Sequence, residues 1–249
     1  MKKESYLFIL ILPLMWVSYC LFELFTRNFY ISNFFILLII PSLVLFFISY
    51  LFIQLSMHLK NGFPNKILLT LFLFLFFLDQ GLKLIIKLLF FEKNFYIIPN
   101  LLSFTPIINT KGSWLNVRFN TNINFITLIL INIIALFLFT EVYRYFNTKN
   151  NKNFFTDLCY TFIIAGSLCS LIDKVFYGGS LDFIGIGNLF IADFKDIYIN
   201  LAIFMFIIAI YNFDYIDNNK ASIQNHHIKL KEFLIFIVDD IKLNILKIK

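Results

Sequence analysis

Charged residues are scarce in this chain of 249 residues, at 14%, whereas 60% of the residues are hydrophobic. A soluble domain of this size could not bury that much apolar surface. Cysteine is also rare, and the spacing of Cys20, Cys159 and Cys169 argues against a disulfide framework or a zinc ribbon. The composition therefore predicts a polytopic membrane protein with buried, inert thiols.

Six apolar runs are long enough to cross a hydrocarbon core, which takes about 20 helical residues. They lie at about 5–25, 31–55, 67–91, 124–142, 155–177 and 196–213. The first run lacks the small-residue cleavage pattern of a signal peptide, so we expect a retained helix. The sequence thus predicts an all-α membrane protein with about six transmembrane helices.

Basic residues indicate how the helices are oriented, because cytoplasmic connections carry an excess of Lys and Arg. They cluster at Lys2, Lys3, Lys60, Lys66, Arg144, Lys149, Lys152 and along the tail from Lys220 onward. Both termini are therefore expected in the cytoplasm, and the connections at about 92–123 and 178–195 outside. Some basic residues, Lys195 among them, fall in the outer connections, so the orientation rests on a bias. The net charge of +6 suits anionic lipid headgroups better than nucleic acid.

Polar residues within the apolar runs are costly, and their default interpretation is functional. Asp79 and Lys83 stand at i and i+4 of one run and can pair on one helix face. The simpler interpretation of this pair, a structural ion pair, is the one we prefer. A second run carries small residues from Gly166 to Ser170, a face that suits close helix packing, and then Asp173 and Lys174.

The connections contain two further polar clusters. In Asn109-Thr110-Lys111-Gly112-Ser113-Trp114, the glycine permits an unusual backbone turn. Asp182 and Asp193 flank the segment that leads into the last apolar run. On spacing alone they are equally well explained as solvated acids, Asp193 lying near a helix N-terminus where its charge suits the dipole.

Two facing carboxyl groups in a partly dry site cannot easily both ionise, so one keeps a proton. The ionised group can then activate a water and the protonated group can donate to an oxyanion, without a metal, a cofactor or a covalent nucleophile. Which of Asp182 and Asp193 holds the proton stays open, because coupled acids titrate as a pair.

Taken in order, the segments DQGLK, NTKGSW, GSLCSLIDK, LDF and FIAD resemble the signature blocks of the bacterial lipoprotein signal peptidases, the aspartic type II signal peptidases. The resemblance covers about residues 67–213. It implies that Asp182 and Asp193 are the catalytic pair of an aspartic endopeptidase. The positions that match supporting or substrate-binding sites are Asp79, Lys83, Asn109, Gly112, Ser170, Asp173 and Lys174.

The resemblance also implies a substrate and a location. The expected partners are diacylglyceryl-modified prolipoproteins, cut just before the lipidated cysteine, together with membrane lipid and without nucleic acid. The expected location is a bacterial cytoplasmic membrane, with the active site facing outward. A four-helix peptidase-like domain at 61–213 would follow a two-helix extension at 1–60 and precede a cytoplasmic amphipathic tail at 214–249, whose apolar residues recur at helical spacing beyond residue 228.

Three positions depart from the family pattern, which usually has Asn where Ser170 and Phe190 stand and Arg where Lys174 stands. They motivate an alternative, a catalytically lapsed relative that binds lipidated signal segments. A small membrane transporter is a further alternative, because intramembrane charges also line transport paths. A zinc protease of the HExxH type is excluded, since the motif does not occur in the sequence.

Overall fold

The computed structural model describes residues 3–27, 34–149, 151–217 and 223–245. Eight α-helices lie within them: α1 (Ile11–Arg27), α2 (Phe34–His58), α3 (Asn65–Ile85), α4 (Trp114–Phe119), α5 (Phe125–Thr148), α6 (Phe154–Phe176), α7 (Phe194–Asp217) and α8 (Ile223–Asp240). The strands in the same ranges are β1 (Phe95–Ile98), β2 (Leu102–Asn109), β3 (Ser180–Ile186) and β4 (Phe190–Ala192). A 3₁₀ segment, Lys3–Leu10, leads into α1, and π-helical turns continue α3 and α8.

The six predicted transmembrane helices are confirmed. The helices long and apolar enough to cross a membrane are Tyr6–Thr26, Phe34–His58, Asn65–Phe90, Phe125–Thr148, Phe154–Phe176 and Phe194–Asn212. Part of the predicted amphipathic tail is helical, as α8. Lys2 and Lys220, which contributed to the predicted orientation, lie outside the described residues.

The central helix of the bundle is α6, which packs against α3, α5 and α7. Its predicted small-residue face is what brings α7 close. A Cβ atom at Gly166 would lie 2.8 Å from Ile199 Cγ1 and 3.2 Å from the backbone oxygen of Lys195. Because only a residue without a Cβ fits there, the first turn of α7 is held tightly against α6.

The connections at 92–123 and 178–195 form one antiparallel sheet in the order β1-β2-β3-β4. The prediction of an all-α protein is therefore incomplete, since a small sheet accompanies the helices. Strand β2 pairs with β3, which places Ile107 opposite Asp182 and Asn109 opposite Ser180. The two connections that were predicted to face the same side thus meet at one end of the bundle.

The connections at 59–64 and 149–153 meet at the other end. The backbone N of Phe63 donates to Asp157 Oδ2 at 2.6 Å, and Lys152 Nζ donates to the backbone oxygen of Phe63 at 2.9 Å. Helix α8 reaches this end as well, through an ion pair of 3.1 Å between Lys149 and Glu232. The bundle therefore has one end with the sheet and one end with these connections and α8.

The first two helices pack against each other and lean on the sheet end of the body. Trp16 Nε1 donates to the backbone oxygen of Leu37 at 3.0 Å, which ties α1 to α2. Gly187, in the β3–β4 turn, has φ of 50° and faces Leu37 so closely that a Cβ would lie 2.7 Å from Leu37 Cδ2. The turn beside Asp193 is thus shaped by contact with α2.

Candidate active site

Asp193 immediately precedes α7 and caps it. Its Oδ1 accepts a hydrogen bond from the backbone N of Asp196 at 3.2 Å, and Asp196 Oδ2 accepts one from the backbone N of Asp193 at 3.3 Å. This reciprocal arrangement is a capping box with carboxylates at both positions. The box fixes a carboxyl group that is fully buried, with 0% of Asp193 exposed.

The other oxygen of Asp193 faces several donors. Lys83 Nζ lies 2.7 Å from Oδ2, Ser180 Oγ donates to it at 3.0 Å, and Lys195 Nζ forms a close ion pair with it. Lys83 Nζ is also 2.9 Å from Asp79 and 2.7 Å from Asp173. The predicted Asp79–Lys83 pair is therefore present, but it is part of a buried network that includes Asp193 and does not stand alone.

Asp182 lies on β3 and is 4% exposed. Asn109 Nδ2, on the paired strand β2, donates to Asp182 Oδ2 at 3.0 Å. Within the described residues, Asp182 Oδ1 accepts no hydrogen bond and lies 3.8 Å from Lys195 Nζ. Asp182 thus has one oxygen that is anchored by Asn109 and, within that part of the chain, one buried oxygen without a hydrogen-bond donor.

The two acids are brought together by the meeting of β3 with the start of α7. One carboxylate oxygen each of Asp182, Asp193 and Asp196 lie within 4.8 Å of one another. Such a donor set also suits a divalent cation, but Lys195 already supplies a positive charge at the same point. The arrangement is that of a carboxyl pair with a lysine beside it.

The surroundings separate the proton affinities of the two acids. Burial raises the pKa of Asp182 above its usual range, and Lys195 offsets only part of the increase. Burial acts in the same direction on Asp193, but the positive charges of Lys195 and Lys83 outweigh it and lower the pKa of Asp193. These opposite directions favour a proton on Asp182 over a proton on Asp193.

The other predicted site residues divide into two groups. Asp173 joins the network, because its Oδ1 accepts from Gln80 Nε2 at 3.2 Å and its Oδ2 accepts from Ser180 Oγ at 3.1 Å. Ser170 and Lys174 contact each other across one turn of α6, Lys174 Nζ donating to the backbone oxygen of Ser170 at 3.3 Å. Their described contacts are with each other and not with Asp182 or Asp193.

Gly112 acts on the backbone. It has φ of +70° in the turn after β2, and a Cβ there would lie 3.1 Å from the Phe125 ring. The turn directs the chain from Asn109 into α4, where Asn116 Nδ2 donates to the backbone oxygens of Lys111 and Ile123 at 2.8 Å each. Gly112 therefore shapes the turn between β2 and α4.

Sequence reasoning missed Lys195 and Ser180. The sequence pattern marks Lys195 only as a basic residue in an outer connection, yet it is 6% exposed and its Nζ lies 2.6 Å from Ser180 Oγ. A usable signal was present, because a lysine in the first turn of an apolar helix is costly without a partner. Ser180 gave no such signal, since a serine after two glycines resembles an ordinary turn.

The family model described as "Signal peptidase (SPase) II" matches residues 71–212, a span that contains Asp79, Asp173, Asp182 and Asp193. The chain belongs to the signal peptidase II family. The "Lipoprotein signal peptidase" of Staphylococcus aureus (strain MRSA252) is 29% identical to this chain over 160 residues, which are 62% of this chain and 92% of that protein. The resemblance noted from the sequence blocks is thus confirmed.

A solved structure shares the fold. It is a bacterial membrane enzyme determined by the in meso method at 2.3 Å resolution, with a TM-score of 0.52 and 23% identity, covering 66% of this chain and 98% of that one. The family match begins within α3, so α1 and α2 lie outside it, as the sequence predicted. Membership in an aspartic peptidase family of lipoprotein processing also sets the transporter alternative aside.

The departure at Phe190 has a structural counterpart in the additional helices. The ring of Phe190 packs against two rings on α1, with centroid distances of 5.3 Å to Tyr19 and 6.3 Å to Trp16. Phe190 stands two residues before Ala192 in the block that ends at Asp193. In this chain, the residue at the position where the family usually has an amide thus forms a contact between α1 and the strand that leads to the site.

Proposed function

We propose that this signal peptidase II is an active aspartic endopeptidase that removes signal peptides from diacylglyceryl-modified prolipoproteins, cutting just before the lipidated cysteine. The observation that carries the proposal is the pair of buried, facing carboxyl groups with different charge environments. Asp193 lies against two lysines, whereas one oxygen of Asp182 accepts no hydrogen bond among the described residues. A general acid and a general base are thus available at one point.

In the proposed reaction, the Asp193 carboxylate takes a proton from a water that bridges the pair, and the water oxygen attacks the scissile carbonyl. Asp182 donates its proton to the carbonyl oxygen as the tetrahedral intermediate forms. When the intermediate collapses, the C–N bond breaks and the proton on Asp193 passes to the leaving amine. Both acids recover their starting states after the carboxyl product returns a proton to Asp182.

Four of the predicted supporting residues hold this pair in place. Asn109 orients Asp182 from β2, because its Oδ1 accepts from the backbone N of Lys111 at 3.2 Å while its amide group donates to the acid. Lys83, Asp79 and Asp173 form the network beneath Asp193. Binding of the lipidated segment from the membrane supplies orientation, and the loop with α4, which directly follows β2, is proposed to cover the site.

The site is proposed to face away from the cytoplasm, with both termini in the cytoplasm. The sheet and the acids lie at one end of the bundle, and the connections with Lys60 and Lys152 lie at the other. Since positively charged connections stay in the cytoplasm, the acids are placed where exported prolipoproteins are processed.

The direct test is cleavage of a diacylglyceryl-modified prolipoprotein by the purified protein in detergent, followed as a gel shift. We expect Asp182→Asn and Asp193→Asn each to lower the rate by about 100-fold or more, because general acid and base groups contribute at least that much. Asp239→Asn, an exposed acid on α8, is the matched control and should cleave as the parent does.

The same assay decides between catalysis and the alternative of a lapsed relative that binds lipidated segments. Failure of the folded parent to cleave, beside an active control peptidase, would exclude the proposed activity. Retained cleavage in either Asn variant would instead show that the two acids are not the catalytic pair.

A further inference from the structure

Lys195 lies where the two acids meet. Its Nζ forms a close ion pair with Asp193, and it is 3.3 Å from Asp173 and 3.8 Å from Asp182 Oδ1. Lys83, by comparison, pairs with Asp79, Asp173 and Asp193. Among the described ion pairs, Lys195 is thus the cation that reaches both Asp182 and Asp193.

We propose that Lys195 is a positioning residue that keeps Asp193 as the ionised member of the pair and thereby assigns the base role to Asp193 and the acid role to Asp182. The inference rests on the proposed peptidase function. Lys195 acts through unequal distances, because its ammonium group is in direct contact with Asp193 and 3.8 Å away from Asp182. A positive charge stabilises the nearer carboxylate more strongly.

The fold fixes the lysine from two sides. The backbone N of Lys195 donates to Asp79 Oδ1 on α3 at 3.1 Å. On the other side, α6 approaches the backbone oxygen of Lys195 closely, because glycine at position 166 has no side chain. The ammonium group is further held by Ser180 Oγ at 2.6 Å. A lysine restrained at its backbone and at its charged end keeps a constant distance to each acid.

The ammonium group of Lys195 offsets part of an excess of negative charge among the buried groups around it. The charged groups that surround it are Asp79 and Lys83 on α3, Asp173 and Lys174 on α6, Asp182 on β3, and Asp193 and Asp196 at the start of α7. Five carboxyl groups thus share three ammonium groups. Without Lys195 the excess of negative charge would increase, and buried carboxylates respond by taking up protons. The directions of the two pKa changes, lowered for Asp193 and raised for Asp182, agree with this assignment.

The test is the pH dependence of kcat/KM for Lys195→Met and Lys195→Arg in the full chain, with a diacylglyceryl-modified prolipoprotein as substrate. Loss of the ammonium group raises the pKa of Asp193, so in Lys195→Met the acid limb should move to higher pH by about 1 to 3 units. Lys195→Arg keeps the charge and should keep the limb near that of the parent. Lys66→Met, an exposed lysine at the other end of the bundle, controls for loss of one positive charge.

A second measurement does not depend on activity. Titration of ¹³C-labelled aspartate carboxyls, assigned with Asp182→Asn and Asp193→Asn, should show Asp193 in the parent protein ionising at lower pH than Asp182. The reverse order would overturn the inference even if the methionine variant does not fold, and it would do so whether or not the parent cleaves.

The kinetic outcomes are equally decisive. A parent that cleaves together with a Lys195→Met variant whose acid limb does not move would leave the proposed function intact and overturn the role of Lys195. A methionine variant faster than the parent at every pH would show that Lys195 suppresses the reaction, which also overturns the proposal.

Discussion

Asn109 is the side chain through which β2 influences the acid on β3. Its amide donates to Asp182 Oδ2 at 3.0 Å and so favours the carboxylate form of Asp182, opposing the increase in pKa that burial causes. The position of Asn109 was identified by resemblance, but the contact depends on strand pairing across the chain. A single hydrogen bond of this kind can therefore set the upper pH limit of the reaction.

We expect Asn109→Ala to move the basic limb of kcat/KM upward. Without the donor, the pKa of Asp182 rises further, so the proton needed for oxyanion formation is retained to higher pH. The shift should be about 1 pH unit, from the strength of a hydrogen bond to a charged group. Asn188→Ala, an exposed amide in the β3–β4 turn, should leave the profile unchanged. A downward shift in Asn109→Ala would contradict this role.

The contrast between Lys83 and Lys195 shows what local sequence can reveal. Asp79 and Lys83 are separated by one helical turn, so their pairing follows from helix geometry alone. Lys195 meets Asp182 and Asp173, which come from β3 and α6, and these contacts depend on how distant segments pack. Pattern reasoning therefore found the local pair and missed the lysine between the acids.

Among the larger elements, α1 and the short helix α4 are joined by a partly buried ion pair. Arg118 Nε lies 3.1 Å from Glu23 Oε1, and Glu23 is 1% exposed. The guanidinium group also lies over the rings of Phe22 and Phe119, at 5.7 and 5.6 Å. Helix α1 thus restrains the loop that follows β2.

We expect Arg118→Gln to loosen α4. Hydrogen–deuterium exchange of the amides in Trp114–Phe119 should accelerate about tenfold, equivalent to about 1.4 kcal/mol of lost local stability. Glu23→Gln should have a similar effect, and the double variant should add less than the sum, because both changes break one contact. Lys93→Gln, in the same connection but exposed, is the control. Fully additive effects would show that α1 does not restrain α4 through this pair.

The transmembrane helices were predictable because a span is recognised from its own composition and length. The sheet was not predictable, since its strands are short. Strand β2 pairs with β3, and two transmembrane helices separate these strands in the sequence. The contact between Phe190 and α1 was equally hidden. It explains in packing terms why an aromatic ring occupies a position where an amide is usual in the family.

At the scale of the whole molecule, the proposed catalytic acids and the basic connections lie at opposite ends of the bundle. Asp182, Asp193 and the sheet lie at one end, whereas Arg144, Lys149 and Lys152 lie at the other, where Arg144 pairs with Asp240 at 2.5 Å and Lys152 with the 59–64 connection. The sequence indicated this division only as a bias. The packing supports this division, because two lysines at the sheet end are engaged in contacts. Lys174 contacts Ser170, and Lys195 pairs with the acids.

This division predicts how single cysteines will react in intact bacterial cells. Cys20, Cys159 and Cys169 are buried, so the parent should show little labelling by a membrane-impermeant maleimide. Lys93→Cys, at the sheet end, should be labelled from outside, whereas Lys60→Cys should be labelled only after the cells are permeabilised. The opposite pattern would place the acids on the cytoplasmic side, where prolipoproteins that have already been exported could not reach them, and would argue against signal-peptide cleavage as the function of the pair.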